Sequence, residues 1–458
     1  MPTPPISPLA HAHKHQSTYI AQLQEYLRIP SISTLTEHKP DIERASRWIA
    51  TEMRRIGLEN VQIFPTDGHP FVFAERTDDP NAQTVLIYGH YDVQPVDPLD
   101  KWDREPFSAE IADGKIWARG ASDNKGQHFA HLKAIESILA TEGKLPVSIK
   151  VLLEGEEESG SGEIDPFLLA NKRLLQADSG LISDGAMHPG QPLLAYGLRG
   201  VVAMEIYVQG PGRDLHSGSY GGTVLNPIQA LAEIIGQLHD KTGRVTIPGF
   251  YDRVRTLAEQ ERELLSQAGY TLDQWQKDTG AWHPWGEPDF TLLERIGARP
   301  TCEINGIWGG FQGEGVKTVI PSIANAKVTM RLVPHQDPGE IARLFSEHIE
   351  RISPKQVKVE VFHHSGSWPS LMPVDSPEIK AAALALEETW SKKPVFTLGG
   401  GSLPVVAAFQ RLLSVPFVLM PFGLDDNRHS PNEHLGLDYF EKGIETAIRY
   451  YYHLAENQ

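Results

Sequence analysis

The chain has 458 residues, a formal charge of −17 at pH 7 and a single cysteine, Cys302. That length outgrows one ordinary core and points to two domains or one domain with a large insertion. The acidic balance, with no Lys/Arg block, argues against a nucleic-acid partner. One cysteine excludes an internal disulfide, a thiolate metal cluster and a CxxC motif, leaving any metal to His, Asp and Glu.

Met1 to Gln16 is rich in Pro and His and lacks the charged start and apolar core of a signal peptide. No window has the apolar length of a membrane span, so a cytoplasmic location and no membrane partner are expected. His11, His13 and His15 read as part of a polar, frayed arm without a function. Helix-spaced apolar side chains then cover about 17–28, with Ile20, Leu23, Tyr26 and Leu27, and about 40–57. Val61–Phe64, Phe71–Ala74 and Thr84–Tyr88 read as strands, Lys125–Thr141 as a helix, Val147–Leu153 as a strand, Pro166–Leu175 as a helix and Gly180–Ile182 as a buried strand. Such alternation predicts an α/β domain with a mostly parallel central sheet flanked by helices, whose sites gather beyond the carboxyl ends of the strands.

From Gly200 the pattern changes. Val201–Val208 and Ala326–Leu332 alternate like half-exposed strands, and Asn226–Leu238 and Pro338–Ile349 are helical, which predicts a separate α+β unit. Residues 250 to 300, with Trp282 and Trp285, read as an insertion or loop on it. After Gly366-Ser367-Trp368-Pro369 the α/β pattern resumes, with a helix at Ser376–Trp390, the run Gly399–Gly401, a strand at Pro416–Met420 and a closing helix at Tyr439–Leu454. A discontinuous first domain is implied, 1–198 with 367–458, interrupted by 199–366.

Chemistry-bearing residues follow these elements. His90 and Asp92 end the apolar run Leu86-Ile87-Tyr88-Gly89, and strand alternation turns both side chains the same way, so that one imidazole nitrogen can bind a metal while Asp92 accepts from the other. Asp123 lies between Arg119-Gly120 and a helix, where an Asp also serves as an ordinary N-cap. Glu154-Gly155-Glu156-Glu157-Glu158 packs carboxylates that need solvent or a cation. Asp184 ends a short apolar strand, and His429 sits in Asp425-Asp426-Asn427-Arg428-His429 before the last helix. HExxH, GxSxG and the P-loop motif are missing.

Taken in order, GHYDVQPVD, RGASDNKGQ, EGEEESGS, LISD and DDNRHSPNE resemble the motif set of the co-catalytic di-metal peptidase superfamily, which includes aminoacylase, carboxypeptidase G and succinyl-diaminopimelate desuccinylase. The likeness is greatest to its cytosolic non-specific dipeptidase and carnosinase branch. It implies two divalent ions per subunit, zinc first, with manganese or cobalt fitting as well. His90 and Asp184 become ligands of one ion, Glu158 and His429 of the other, Asp123 a bridge and Asp92 the orienting partner of His90. Glu157 matches the general base acting on a metal-bridging hydroxide; the three consecutive glutamates leave the register resting on Ser159-Gly160, with Glu156 the residue that departs from the branch. His216 resembles a lid histidine that reaches the partner subunit's site, and Thr318, Arg331 and Ser402 resemble substrate-binding positions, although Leu398-Gly399 departs from the Arg-Glu found before that serine. The resemblance thus implies a homodimeric, metal-dependent hydrolase of dipeptides with 199–366 as lid and dimerisation domain. Another amide hydrolase of the superfamily is the nearest rival, and a non-catalytic binding protein retaining the fold a more distant one.

Overall fold

The apolar run Thr84–His90 is buried from Val85 onward because it sits in the middle of a sheet, hydrogen-bonded in parallel to Ser148–Glu154 on one side and Ser179–Ile182 on the other. Strands covered on both faces have no solvated side to alternate with, hence their continuous hydrophobicity. Phe417–Leu419 extends the parallel stretch beside Ser179–Ile182. Phe71–Arg76 and Glu59–Phe64 add antiparallel strands at one edge, and Leu193–Leu198 bridges antiparallel from Ala195 to Leu419 at the other. The computed structural model describes residues 6–456.

Helices cover this sheet. Lys39–Arg55 buries Ile42, Ala45, Ile49 and Met53, one stripe at helical spacing, against the strands Glu59–Phe64 and Phe71–Arg76. Gly126–Glu142 is buried over most of its surface between Pro8–Leu27 and Leu437–Glu456, and ends where Gly143 turns to φ 70° and donates its N–H to the Leu139 carbonyl. The expected class therefore holds: α/β with a mostly parallel central sheet flanked by helices. These elements form a first unit, made of the chain through Tyr196, Met372–Phe396 and the stretch from Ala408 onward.

Gly197–Leu371 and Thr397–Ala407 form a second unit. Its four-stranded antiparallel sheet runs in the order Thr301–Gly309, Ile323–Leu332, Gly200–Gln209, Lys358–Ser367. Gly200–Gln209 alternates strictly between buried and half-buried positions. Val202, Met204, Ile206 and Val208 share a core with Leu231 and Ile234 of the helix Pro227–Gly236, and with Phe345 and Ile349 of Pro338–Ile352. Cys302 is buried in this core, which pushes its thiol up to about 12.

Several boundaries differ from expectation. The first helix starts at Pro8, capped by Ser7, whose Oγ accepts the Ala10 N–H at 3.2 Å, so His11, His13 and His15 lie on a helix rather than in a frayed arm. His13 Nδ1 lies 2.8 Å from Glu441 on the closing helix. The helix expected at 166–175 spans Ile164–Ala170. Residues 250 to 300 carry three short helices, Glu259–Gln267, Leu272–Thr279 and Leu292–Gly297. The sheet-edge strands Thr301–Gly309 and Lys358–Ser367 were not expected. Among the described residues no helix is long and apolar enough to cross a membrane.

Candidate metal centre

Parallel strands deliver their next residues to one edge of the sheet, and four of the five metal-type side chains arrive that way. His90 is the last residue of its strand, Glu158 follows Ser148–Glu154 by a short turn, Asp184 lies just past Ser179–Ile182, and His429 sits in the loop after Phe417–Leu419. Asp123 comes from the segment Ala121–Lys125 that leads into the long buried helix, and its peptide bond to Asn124 is cis.

The five side chains fall into two groups that share Asp123: His90, Asp123 and Asp184, and Asp123, Glu158 and His429, the ligand atoms of each lying within 4.8 Å of one another. His90 Nε2 is 3.1 Å from Asp123 Oδ1 and 3.5 Å from Asp184 Oδ2. His429 Nε2 is 3.0 Å from the other oxygen of Asp123 and 3.3 Å from Glu158 Oε2. Ligands at about 2.0–2.1 Å around a tetrahedral ion stand about 3.3 Å apart, so these spacings suit two cation positions flanking one carboxylate. Imidazole and carboxylate without thiolate suit zinc, manganese or cobalt.

Electrostatics makes the same demand for positive charge. Burial alone would strip His90 of its proton, but Asp123, Asp184 and Asp92 outweigh it and hold its pKa well above the ordinary value. Asp123, followed by Glu158, pushes His429 up to about 10. Burial opposes ionisation of Asp123, yet the His429 and His90 rings keep its carboxyl far below the carboxylate range. Glu157 moves the other way: burial first, then Asp184, Glu158 and Asp92, raise it well above 4.5, with His90 opposing.

Asp92 has a wider part than orienting a ring. Its backbone carbonyl lies 3.2 Å and its carboxylate 3.5 Å from His90 Nδ1; an Nδ1–H donated there leaves the Nε2 lone pair facing Asp123. The same carboxylate accepts the backbone N–H groups of Glu157 at 3.2 Å and Glu158 at 3.0 Å. Glu156 turns elsewhere and accepts from the amides of His69 at 3.0 Å and Glu163 at 2.7 Å, which separates it from its two neighbours. Gln94, overlooked in the sequence, donates to Glu158 Oε2 at 2.8 Å; only its place four residues after His90 hinted at it.

The remaining four residues belong to the second unit. His216 and Thr318 are exposed and adjacent: Leu215–His216 pairs with Val319–Ile320, and the Ser217 N–H donates to the Thr318 carbonyl at 3.1 Å. The His216 Nδ1 accepts the Gly218 N–H at 2.9 Å, which directs any donated proton to Nε2. Arg331 Nη1 donates to Ser402 Oγ at 3.1 Å. Arg199, also overlooked, donates from Nε to the Gly400 carbonyl at 3.0 Å and is held down to about 10 by burial and by Arg331. Two guanidinium groups that feel each other beside a hydroxyl make a place suited to an anion.

The model of peptidase family M20/M25/M40 matches residues 86–457, and the chain belongs to that family. It is 32% identical over 470 residues to the Cys-Gly metallodipeptidase of Candida albicans, with 97% of this chain and 96% of the relative covered. Among solved structures, an M20 family metallo-carboxypeptidase from Sulfolobus solfataricus matches with a TM-score of 0.82 at 34% identity, over 96% of this chain and 99% of that one. Human carnosine dipeptidase 1 matches with a TM-score of 0.76 at 29% identity, over 99% of this chain and 100% of that one. The resemblance read from the five motifs, down to its dipeptidase and carnosinase branch, is borne out.

Proposed function

We propose that this M20-family chain is a di-metal dipeptidase that hydrolyses the peptide bond of dipeptides. The observation that carries the reading is Asp123, whose two oxygens face two different imidazoles, each in its own ligand group. His90 and Asp184 would hold one ion, Glu158 and His429 the other, and Asp123 both. Two bound divalent ions, zinc in our reading, supply Lewis acidity at the scissile carbonyl and acidify a water near neutral pH. Three ligand carboxylates offset most of their charge, which makes the buried cluster tolerable.

Glu157 acts as general base, taking the proton of the attacking water and passing it to the leaving amine. Asp92 holds the His90 ring and the amides of Glu157 and Glu158, so base and ligands move as one piece. Arg331 and Ser402 bind the terminal carboxylate of the substrate, with Thr318 beside it. His216 donates from Nε2 to the developing oxyanion. Its exposure fits a residue that works in the partner subunit's site, in a cytoplasmic homodimer assembled through a lid domain at 199–366, with 1–198 and 367–458 forming the catalytic domain.

A carboxypeptidase or aminoacylase activity is the second reading, favoured by the likeness to the Sulfolobus solfataricus metallo-carboxypeptidase. Metal analysis coupled to hydrolysis of a panel of dipeptides and N-acyl amino acids, before and after chelation, tests both. We expect dipeptides to be cleaved by the metal-loaded enzyme and not after chelation. Preference for N-acyl amino acids would replace the dipeptidase reading, and activity indifferent to chelation would end both.

A further inference from the structure

We propose that Glu433 is a positioning residue that locks the loop bearing Asp123 to the loop bearing His429, so that both cation positions depend on a side chain that ligates neither. The inference rests on the assignment of Asp123 and His429 as ligands. Glu433 lies four residues beyond His429 and is fully buried. Its Oε1 accepts the backbone N–H groups of Ser122 at 2.9 Å and Asp123 at 3.0 Å. Its Oε2 accepts the Gly120 N–H at 2.9 Å and Arg119 Nη1 at 2.8 Å. Every one of these partners is a donor, so a carboxylate satisfies them all and nothing else of that shape does.

Three backbone amides within four residues fix the path of the chain into Asp123, and with it the direction of the shared carboxylate. The reverse constraint is as firm. The Ala118 N–H donates to the Glu433 carbonyl at 3.1 Å, and the next residues, His434–Gly436, pair with Lys115–Trp117. The His429 loop itself visits the left-handed region at Asp426, Asn427, His429 and Asn432, a path that persists only where its surroundings dictate it. Asn432 supplies a second tie, accepting the Asp103 N–H at 2.8 Å. Glu433 is therefore the point where two loops far apart in sequence acquire one geometry.

A residue that only neutralises the buried Arg119 would affect stability and leave metal affinity in the folded fraction unchanged. Glu433→Gln separates the two cases. Its amide NH2 must face either the Ser122 and Asp123 N–H groups or Gly120 and Arg119, so two acceptor bonds are lost while volume is kept. Titration of the metal-free, folded protein with zinc against a competing chelator should show affinity reduced about 10–100-fold at both positions. His429→Ala, the control, should weaken one position and spare the other. Glu433→Asp keeps the charge but falls short of the four donors, and should weaken both positions; it also decides the matter if Glu433→Gln does not fold. Wild-type affinities in a folded Glu433 variant, with His429→Ala impaired, would overturn the role of Glu433 alone. Wild-type affinities in His429→Ala would instead remove the ligand assignment on which it stands.

Discussion

Around Asp123, ligand-type side chains sit on loops whose backbone amides are gathered by buried carboxylates: Asp92 takes those of Glu157 and Glu158, and Glu433 those of Gly120, Ser122 and Asp123. Around His216 and Thr318 the support is a strand pair two residues long, and both side chains are exposed. Arg331 and Ser402 lie between these extremes, half-buried and bonded to each other. The contrast separates two requirements. A site for cations must exist before they arrive, since carboxylates left to relax would repel, whereas groups that meet a substrate can stay lightly held until contact orders them.

The sharpest way to break this contrast is at its rigid end. Glu157→Gln should lower kcat for dipeptides by about 10²–10⁴-fold with metal content unchanged, because under the proposed mechanism the base goes while the ligands and their amide supports stay. Loss of metal along with activity would show that Glu157 belongs to the cation scaffold. At the lightly held end, His216→Ala should lower kcat by about 10²–10³-fold, the usual loss of one oxyanion donor. Mixing His216→Ala with Glu157→Ala subunits should restore one working site per verified heterodimer if the histidine acts across subunits; no recovery would confine it to its own chain. The smallest effect is expected between the two. Arg331→Ala should raise KM by about 10–100-fold for dipeptides with a free terminal carboxylate and leave C-terminally amidated ones nearly unaffected. Equal effects on both substrates would detach Arg331 from carboxylate binding.

The sheet and its main helices were legible because each writes its environment into local spacing: Ile42, Ala45, Ile49 and Met53 form a stripe, and Val85 to Tyr88 a run without a solvated face. Thr301–Gly309 and Lys358–Ser367 were not, because edge strands with so many exposed positions carry little alternation. The convergence of His90, Asp123, Glu158, Asp184 and His429 followed from motif order and from their places at strand ends or, for Asp123, at the start of a helix. The register among Glu156, Glu157 and Glu158 rested on Ser159-Gly160 alone, since three identical neighbours carry no internal marker, and it is Glu158 that joins Asp123 and His429. What distinguishes Glu156 is the pair of amides, at His69 and Glu163, that it binds. Asp92 and Glu433 show the same gap: a side chain's type is local, but its donors come from segments that only the folded chain brings near.

Cys302 gives the molecule one more property. A lone thiol sealed in the second unit's core and pushed up to about 12 stays unreactive toward alkylating dyes at neutral pH. The unaltered chain is thus already a blank background for fluorescence or spin labelling, and a single cysteine put in place of exposed Trp282 or Trp285 would carry the only probe, with Cys302 left as it is.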